Sequence, residues 1–268
     1  MREHHGLKTP TFWMAIPAIF LLSIPLAALI FATSASTLWS ALEHPLVAPA
    51  LWLSLKTSVI SLGIVVALGL PLAWWLARSS GPRVLLMESL IDLPIVLPPA
   101  VIGIALLLAF GPSGALGGAM ATLGISLPFS SAAVVLAQVV VSAPFFIKAA
   151  TDAFRALDFD LLLVARTLGH GARSRFFKVA LPIALPGLIT GASLAWARSL
   201  GEFGATLIFA GNLPELTQTM PLAIYSALEA EVEVAQALAL ILATLAISLL
   251  IALKLLPRLA KGLAWWRH

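Results

Sequence analysis

Four charged residues interrupt otherwise apolar stretches of the sequence: Lys56, Asp92, Arg198 and Glu202. A charge at the centre of a bilayer costs about 2.5–3.5 kcal/mol on insertion scales, so each should face protein or water. Arg198 and Glu202 stand four residues apart, a spacing that lets them pair on one helix. Lys56 can snorkel towards an interface, and Asp92 can cap a helix near its cytoplasmic end. No other reactive constellation is present. The chain has no cysteine, which excludes disulfides, thiol chemistry and Fe–S clusters. Its five histidines (His4, His5, His44, His170 and His268) lie at termini or in connections, and only the adjacent His4-His5 pair stands together. No cluster of acids, histidines and a nucleophile suggests an enzyme.

The elements that must position these charges are transmembrane helices. Of 268 residues, 60% are hydrophobic and 10% charged, against roughly 25% charged in soluble domains. Such a chain cannot cover its own surface in water. About 20 apolar residues span the hydrocarbon core as a helix. Charge-free runs cover 11–42, 57–77, 93–147, 179–197 and 234–253. The third is long enough for two spans, and Gly111-Pro112-Ser113-Gly114, Gly117-Gly118, Gly124 and Pro128 mark its turn. The reading is an all-α integral membrane protein, one domain over 1–268. Six spans are expected near 12–34, 55–78, 88–110, 130–150, 180–210 and 234–256. Span 3 holds Pro94, Pro98 and Pro99 and span 4 holds Pro144. These free backbone carbonyls and either kink the helices or shape a gate. Gly201 and Gly204 allow span 5 a close approach to another helix.

Orientation follows from Lys and Arg in the connections. Arg2 and Lys8 precede span 1. Arg78 and Arg83 follow span 2. Lys148, Arg155, Arg166, Arg173, Arg175 and Lys178 lie around the connection from span 4 to span 5, and Lys254, Arg258, Lys261 and Arg267 follow or end span 6. The connections after spans 1, 3 and 5 carry Glu43, Glu215, Glu229, Glu231 and Glu233 and no Lys or Arg. Both termini are therefore expected in the cytoplasm. The +4 formal charge is a topology signal and not a nucleic-acid surface. Trp74-Trp75 and Trp265-Trp266 suit the cytoplasmic interface.

The long cytoplasmic connection, about 152–180, is not a flexible linker. Asp158 or Asp160 can cap a helix running to Leu168, Gly169 and Gly171 can end it, and a basic helix from Ala172 then enters span 5. The first helix carries Leu161, Leu162, Leu163, Val164, Ala165 and Leu168. That is too apolar to lie bare, so it either packs on its own bundle or docks into a partner's groove.

The spacing Ala165-x3-Gly169-x9-Val179-x-Leu181-Pro182 resembles the EAA signature of ABC-importer permeases, in the connection where that family carries it. The segments 195–212, with its Gly-Glu-Phe-Gly-Ala-Thr run, and 217–225 resemble the oxyanion permeases for molybdate, tungstate and sulfate, most closely those for molybdate. The chain departs from the signature at Leu163-Val164-Ala165, where the family has Glu-Ala-Ala; Asp160, three residues earlier on the same helical face, is the available acid.

The resemblance implies a type I ABC-importer permease fold in a bacterial or archaeal cytoplasmic membrane. It implies a second copy of the chain forming the pathway, two ATP-binding ATPase subunits and an extracytoplasmic oxyanion-binding protein. ATPase coupling would fall to Asp158, Asp160, Leu161, Leu162, Ala165, Arg166, Leu168 and Gly169. The chain has no G-x-x-x-x-G-K-[ST] loop, so ATP and Mg²⁺ would sit on the partner and no cofactor on this chain. Arg198, Glu202 and Lys56 are candidates for the translocation path. The Arg198–Glu202 pair is either structural or a transient anion site, in which Arg198 supplies the cation and Glu202 prevents tight binding.

Overall fold

The computed structural model describes residues 10–264. The expectations on Arg2, Lys8, His4-His5, Trp265-Trp266, Arg267 and His268 lie outside the described residues. Within them the chain is helical: α1 (Pro10–Ala32), α2 (Ala35–Leu42), α3 (Val47–Arg78), α4 (Pro82–Val96), α5 (Pro99–Phe110), α6 (Ala115–Ala121), α7 (Ser131–Arg155), α8 (Phe159–Thr167), α9 (Ala172–Arg175), a π-turn (Phe176–Ala180), α10 (Leu181–Leu200), α11 (Gly204–Ala210), α12 (Met220–Ala230) and α13 (Val232–Ala264).

Four stretches are unbroken, long and apolar enough to cross a membrane: Val47–Arg78, Ser131–Arg155, Ala172–Leu200 and Val232–Leu253. Two bent pairs, α1 with α2 and α4 with α5, bring the number up to six. Span 3 is therefore not one helix. It turns by 113° between Val96 and Pro99. The cause is local. Pro98 and Pro99 bar the residue before each from helical ψ, and Leu97 and Pro98 adopt ψ 136° and 138°. Pro94 and Pro144, by contrast, are accommodated inside α4 and α7. Span 5 is also broken, at 201–203, between α10 and α11.

Helix α7 is the centre of the bundle. It packs most extensively on α3 and α10, and its small inward residues Ala133, Ala137 and Ala150 are fully buried. α3 runs parallel to it, with Gly69 against Phe146 and Ile147 and Trp74 against Phe154. α10 runs antiparallel, with Gly187 facing Ala153 and Gly191 facing Ala149. A Cβ on Gly191 would stand 2.8 Å from the Ala149 methyl and 3.3 Å from the Phe146 carbonyl oxygen. Gly191→Leu should therefore destabilise the chain by about 1–3 kcal/mol through overpacking. In Gly63→Ala the added methyl meets nothing within 4 Å, and stability should hold. Thermal unfolding in detergent compares the two.

α1 is the opposite case: Ile19, Phe20, Leu21, Leu22 and Phe31 are all more than half exposed. Within one chain α1 touches mainly α13, so lipid or another protein must cover it.

Candidate translocation and coupling sites

The break in span 5 places Glu202. α10 ends at Leu200, Gly201 follows it, and α11 begins at Gly204. Gly204 is needed because a Cβ there would lie 3.0 Å from Pro99 Cβ on α5. Glu202 thus lies past the end of α10, not on a shared helix with Arg198. Its side chain is fully buried and does two things. Oε1 accepts the Ala205 N–H at 2.8 Å, tying down the first turn of α11. Oε2 stands 2.8 Å from Arg198 Nη2, in a close ionic contact. Arg198 is the wetter partner, its side chain 27% exposed. The arrangement is a buried anion that holds a mostly buried, partly accessible cation at the point where a helix breaks.

Lys56 does not join this pair. It projects from the exposed side of α3, while Ser54, Thr57, Ser58 and Ser61 line the buried side. That stripe does structural work. Ser58 Oγ accepts the Trp196 indole N–H at 3.0 Å and Ser54 Oγ accepts the Met220 N–H at 2.7 Å. A Ser/Thr stripe at i, i+3, i+4, i+7 inside a span was readable from the sequence as an interhelical polar seam. The segment 217–225 is likewise not an outer loop. Thr217, Gln218, Thr219 and Met220 are buried, and Asn212 and Gln218 both donate to Ser226 Oγ, at 2.8 and 3.2 Å.

Asp92 also differs from expectation. It is no helix cap but an ion-pair partner: Lys148 Nζ lies 2.8 Å from its carboxylate, and Arg155 Nη2 lies 2.6 Å from Glu88. Both pairs cross-link α4 to the Arg155 end of α7.

The connection from α7 to α10 forms as expected. Asp158 Oδ1 accepts the Asp160 N–H at 3.0 Å and caps α8. Gly169, at φ +84°, ends it, and the His170 and Gly169 N–H groups close on Ala165 and Arg166 carbonyls, the left-handed termination that favours glycine. α8 has two faces. Leu162 and Ala165 turn inward and are buried. Leu161, Leu163, Val164 and Leu168 stay exposed, Leu168 to 73%, and Asp158, Asp160, Arg166 and Gly169 are exposed around them. From Ala172 the chain runs helically into α10 through the π-turn. Phe176 in that turn meets Trp74 at 5.1 Å and Phe154 at 6.0 Å between ring centroids. Trp74 is thus more than an interfacial residue: it joins α3, α7 and the π-turn.

Residues 69–261 match the family described as the binding-protein-dependent transport system inner membrane component. The molybdenum transport system permease protein ModB of Mycobacterium tuberculosis (strain ATCC 25618 / H37Rv) is 44% identical over 237 residues, 87% of this chain and 90% of the relative. ModB of Escherichia coli (strain K12) is 42% identical over 181 residues, 67% and 79% of the two chains. Among solved structures, a chain of a bacterial alginate ABC transporter bound to its alginate-loaded periplasmic protein superposes with a TM-score of 0.74 at 15% identity, covering 94% of this chain and 95% of that one. A chain of the inward-facing MetNI methionine ABC transporter gives 0.64 at 18% identity, covering 84% and 98%. At such identities the superpositions speak for the fold.

Proposed function

The chain belongs to the inner membrane components of binding-protein-dependent transport systems, a multi-pass permease, and from that premise we propose that it is the permease subunit of an ATP-driven importer of molybdate. The observation that carries the cargo is the 44% identity to ModB across nine-tenths of that protein. Molybdate is a tetrahedral dianion. Arg198 is the intramembrane cation able to meet it in passage, and Glu202 keeps that cation partly neutralised, so the anion is not trapped. Tungstate and sulfate share the shape and charge, and selection belongs to an extracytoplasmic binding protein.

Two copies would form the path about a two-fold axis, and the uncovered α1 is available to that contact. Both termini would lie in the cytoplasm, as the Lys and Arg distribution favours. Two ATPase subunits would each receive one α8. ATP-driven closure would then be transmitted through the π-turn into α10, at whose far end Arg198 and Glu202 sit. With Leu163 in place of the family's acid, the contact would rest on the apolar stripe of α8 and on Asp160.

Reconstitution in liposomes with the cognate ATPase and binding protein tests this reading. Molybdate-loaded binding protein should raise ATP turnover several-fold and drive uptake that stops without ATP. Stimulation by sulfate with none by molybdate would reassign the cargo, and uptake without nucleotide would overturn the importer itself.

A further inference from the structure

The face of α7 that packs on α10 carries two buried side chains whose polar atoms are unpartnered. Gly187 faces Ala153, and Gly191 faces Ala149 and Phe146. Continued outward along α7 in steps of four residues from Phe146, the same face presents Ser142 and then Gln138. α10 runs the other way. Seven residues outward from the Ala149–Gly191 contact come Ser142 and Arg198, and eleven residues outward come Gln138 and Glu202. The register holds past the break: Ala205 clusters with Ala137 and Val141, and the Phe129 N–H donates to the Phe209 carbonyl at 3.3 Å. Gln138 and Ser142 are each 1% exposed. Neither Gln138 Oε1 nor Ser142 Oγ has a hydrogen-bond partner among the described residues. Other buried hydroxyls of the bundle, those of Thr57, Thr151 and Ser193, donate back to a carbonyl of their own helix, and Ser142 does not. A buried polar atom left unpaired carries its full desolvation cost, so this wall is polar for a group that reaches it in another arrangement. Arg198 is the cation at that height, and a guanidinium has five N–H donors, enough to serve an acceptor besides Glu202.

We propose that Gln138 is a positioning residue for Arg198: its amide oxygen is a second, uncharged seat for the guanidinium on the α7 wall, with Ser142 beside it. On Glu202 the cation is neutralised. Turned onto Gln138 it keeps its full charge and is ready for a dianion, and its return to Glu202 lets the cargo go. The inference rests on the reading of Arg198 as the cation that meets the anion, and adds to it the device that exposes and cancels that charge.

The test uses the full chain in liposomes with the cognate ATPase and molybdate-loaded binding protein, and thermal unfolding of each variant in detergent. Gln138→Leu should lower the maximal rate of uptake about tenfold, the ordinary effect of losing one hydrogen bond to a charged group. Its melting temperature should hold, because Gln138 Oε1 is unpaired in this structure. The concentration of loaded binding protein at half-maximal uptake should not move, since capture precedes passage. A merely structural glutamine would instead lower stability and uptake together. The second arm exchanges the two seats. Glu202→Gln alone should lose uptake, and Gln138→Glu combined with Glu202→Gln should restore it several-fold, because the carboxylate has only crossed to the opposite wall. If Gln138→Leu does not fold, this exchange decides alone. Full uptake in Glu202→Gln would remove the pathway role of the pair and this inference with it. Loss of uptake there, with full uptake in Gln138→Leu or no recovery in the exchange, would overturn the role of Gln138 and leave the reading of Arg198 standing.

Discussion

Glu202→Ala should abolish transport and destabilise the chain by about 3–5 kcal/mol, the cost of breaking a buried ion pair by removing one partner. Two losses combine. The Ala205 N–H loses its acceptor, and Arg198 loses the anion 2.8 Å away. Glu202→Gln separates them. Its amide oxygen can still accept the Ala205 N–H, so stability should fall by less, yet the charge is gone and Arg198 is left unneutralised. Arg198→Ala is the severe partner variant, because it strands a carboxylate with no exposure of its own. Replacing both residues, Arg198→Met with Glu202→Gln, should cost less than the sum of the single changes, and the double-mutant cycle gives the coupling. Thermal unfolding in detergent measures stability and liposome uptake measures transport. If the alanine and glutamine variants of Glu202 unfold together, the capping role is wrong.

The same cycle separates a structural pair from a pathway pair. A purely structural pair predicts that uptake follows stability in all variants. A cation that meets the cargo predicts that the double variant, though folded, fails to transport, while Arg198→Lys keeps a measurable fraction of uptake because the charge remains. The geometry favours the second outcome: Glu202 is wholly buried while Arg198 keeps a quarter of its side chain exposed, so the cation is the member of the pair that an anion can reach.

Much of this architecture is legible in the sequence, and the limits have physical causes. The crossings are legible because length and apolarity are properties of a whole segment. The cap at Asp158 and the stop at Gly169 are legible because they are local backbone requirements. The breaks are not. An apolar run reads the same whether its helix is straight or bent, and Pro98-Pro99 becomes a 113° turn where Pro144 stays within a helix. Counting i, i+4 from Arg198 to Glu202 gave the right pair for the wrong reason, since α10 ends before Glu202 and the carboxylate turns back from beyond Gly201. α12 was missed because its polar lead-in, Thr217-Gln218-Thr219, looks like a loop. It is buried because Ser54, 166 residues away, accepts the Met220 N–H. For α8, composition said that an apolar helix must be covered but not by what. The structure divides it: Leu162 and Ala165 against its own chain, Leu161, Val164 and Leu168 outward.

That division sets the second large effect. Leu161→Asp with Leu168→Asp should leave the bundle folded and remove uptake, because both side chains point away from it. Burial of one leucine in a partner's groove is worth about 1.5–3 kcal/mol. Losing two would weaken the docking at least a hundredfold, more once carboxylates are forced into an apolar groove. The ATPase should then no longer co-purify, and ATP turnover should lose its response to loaded binding protein. Leu162→Ala should behave differently. It removes a buried side chain that packs α8 on its own chain and leaves a cavity, so the melting temperature falls along with uptake. The contrast matters more than either variant alone: outward substitutions should separate coupling from stability, and the inward one should not. Normal uptake in the Leu161→Asp, Leu168→Asp variant would leave α8 without its role as the seat of the motor.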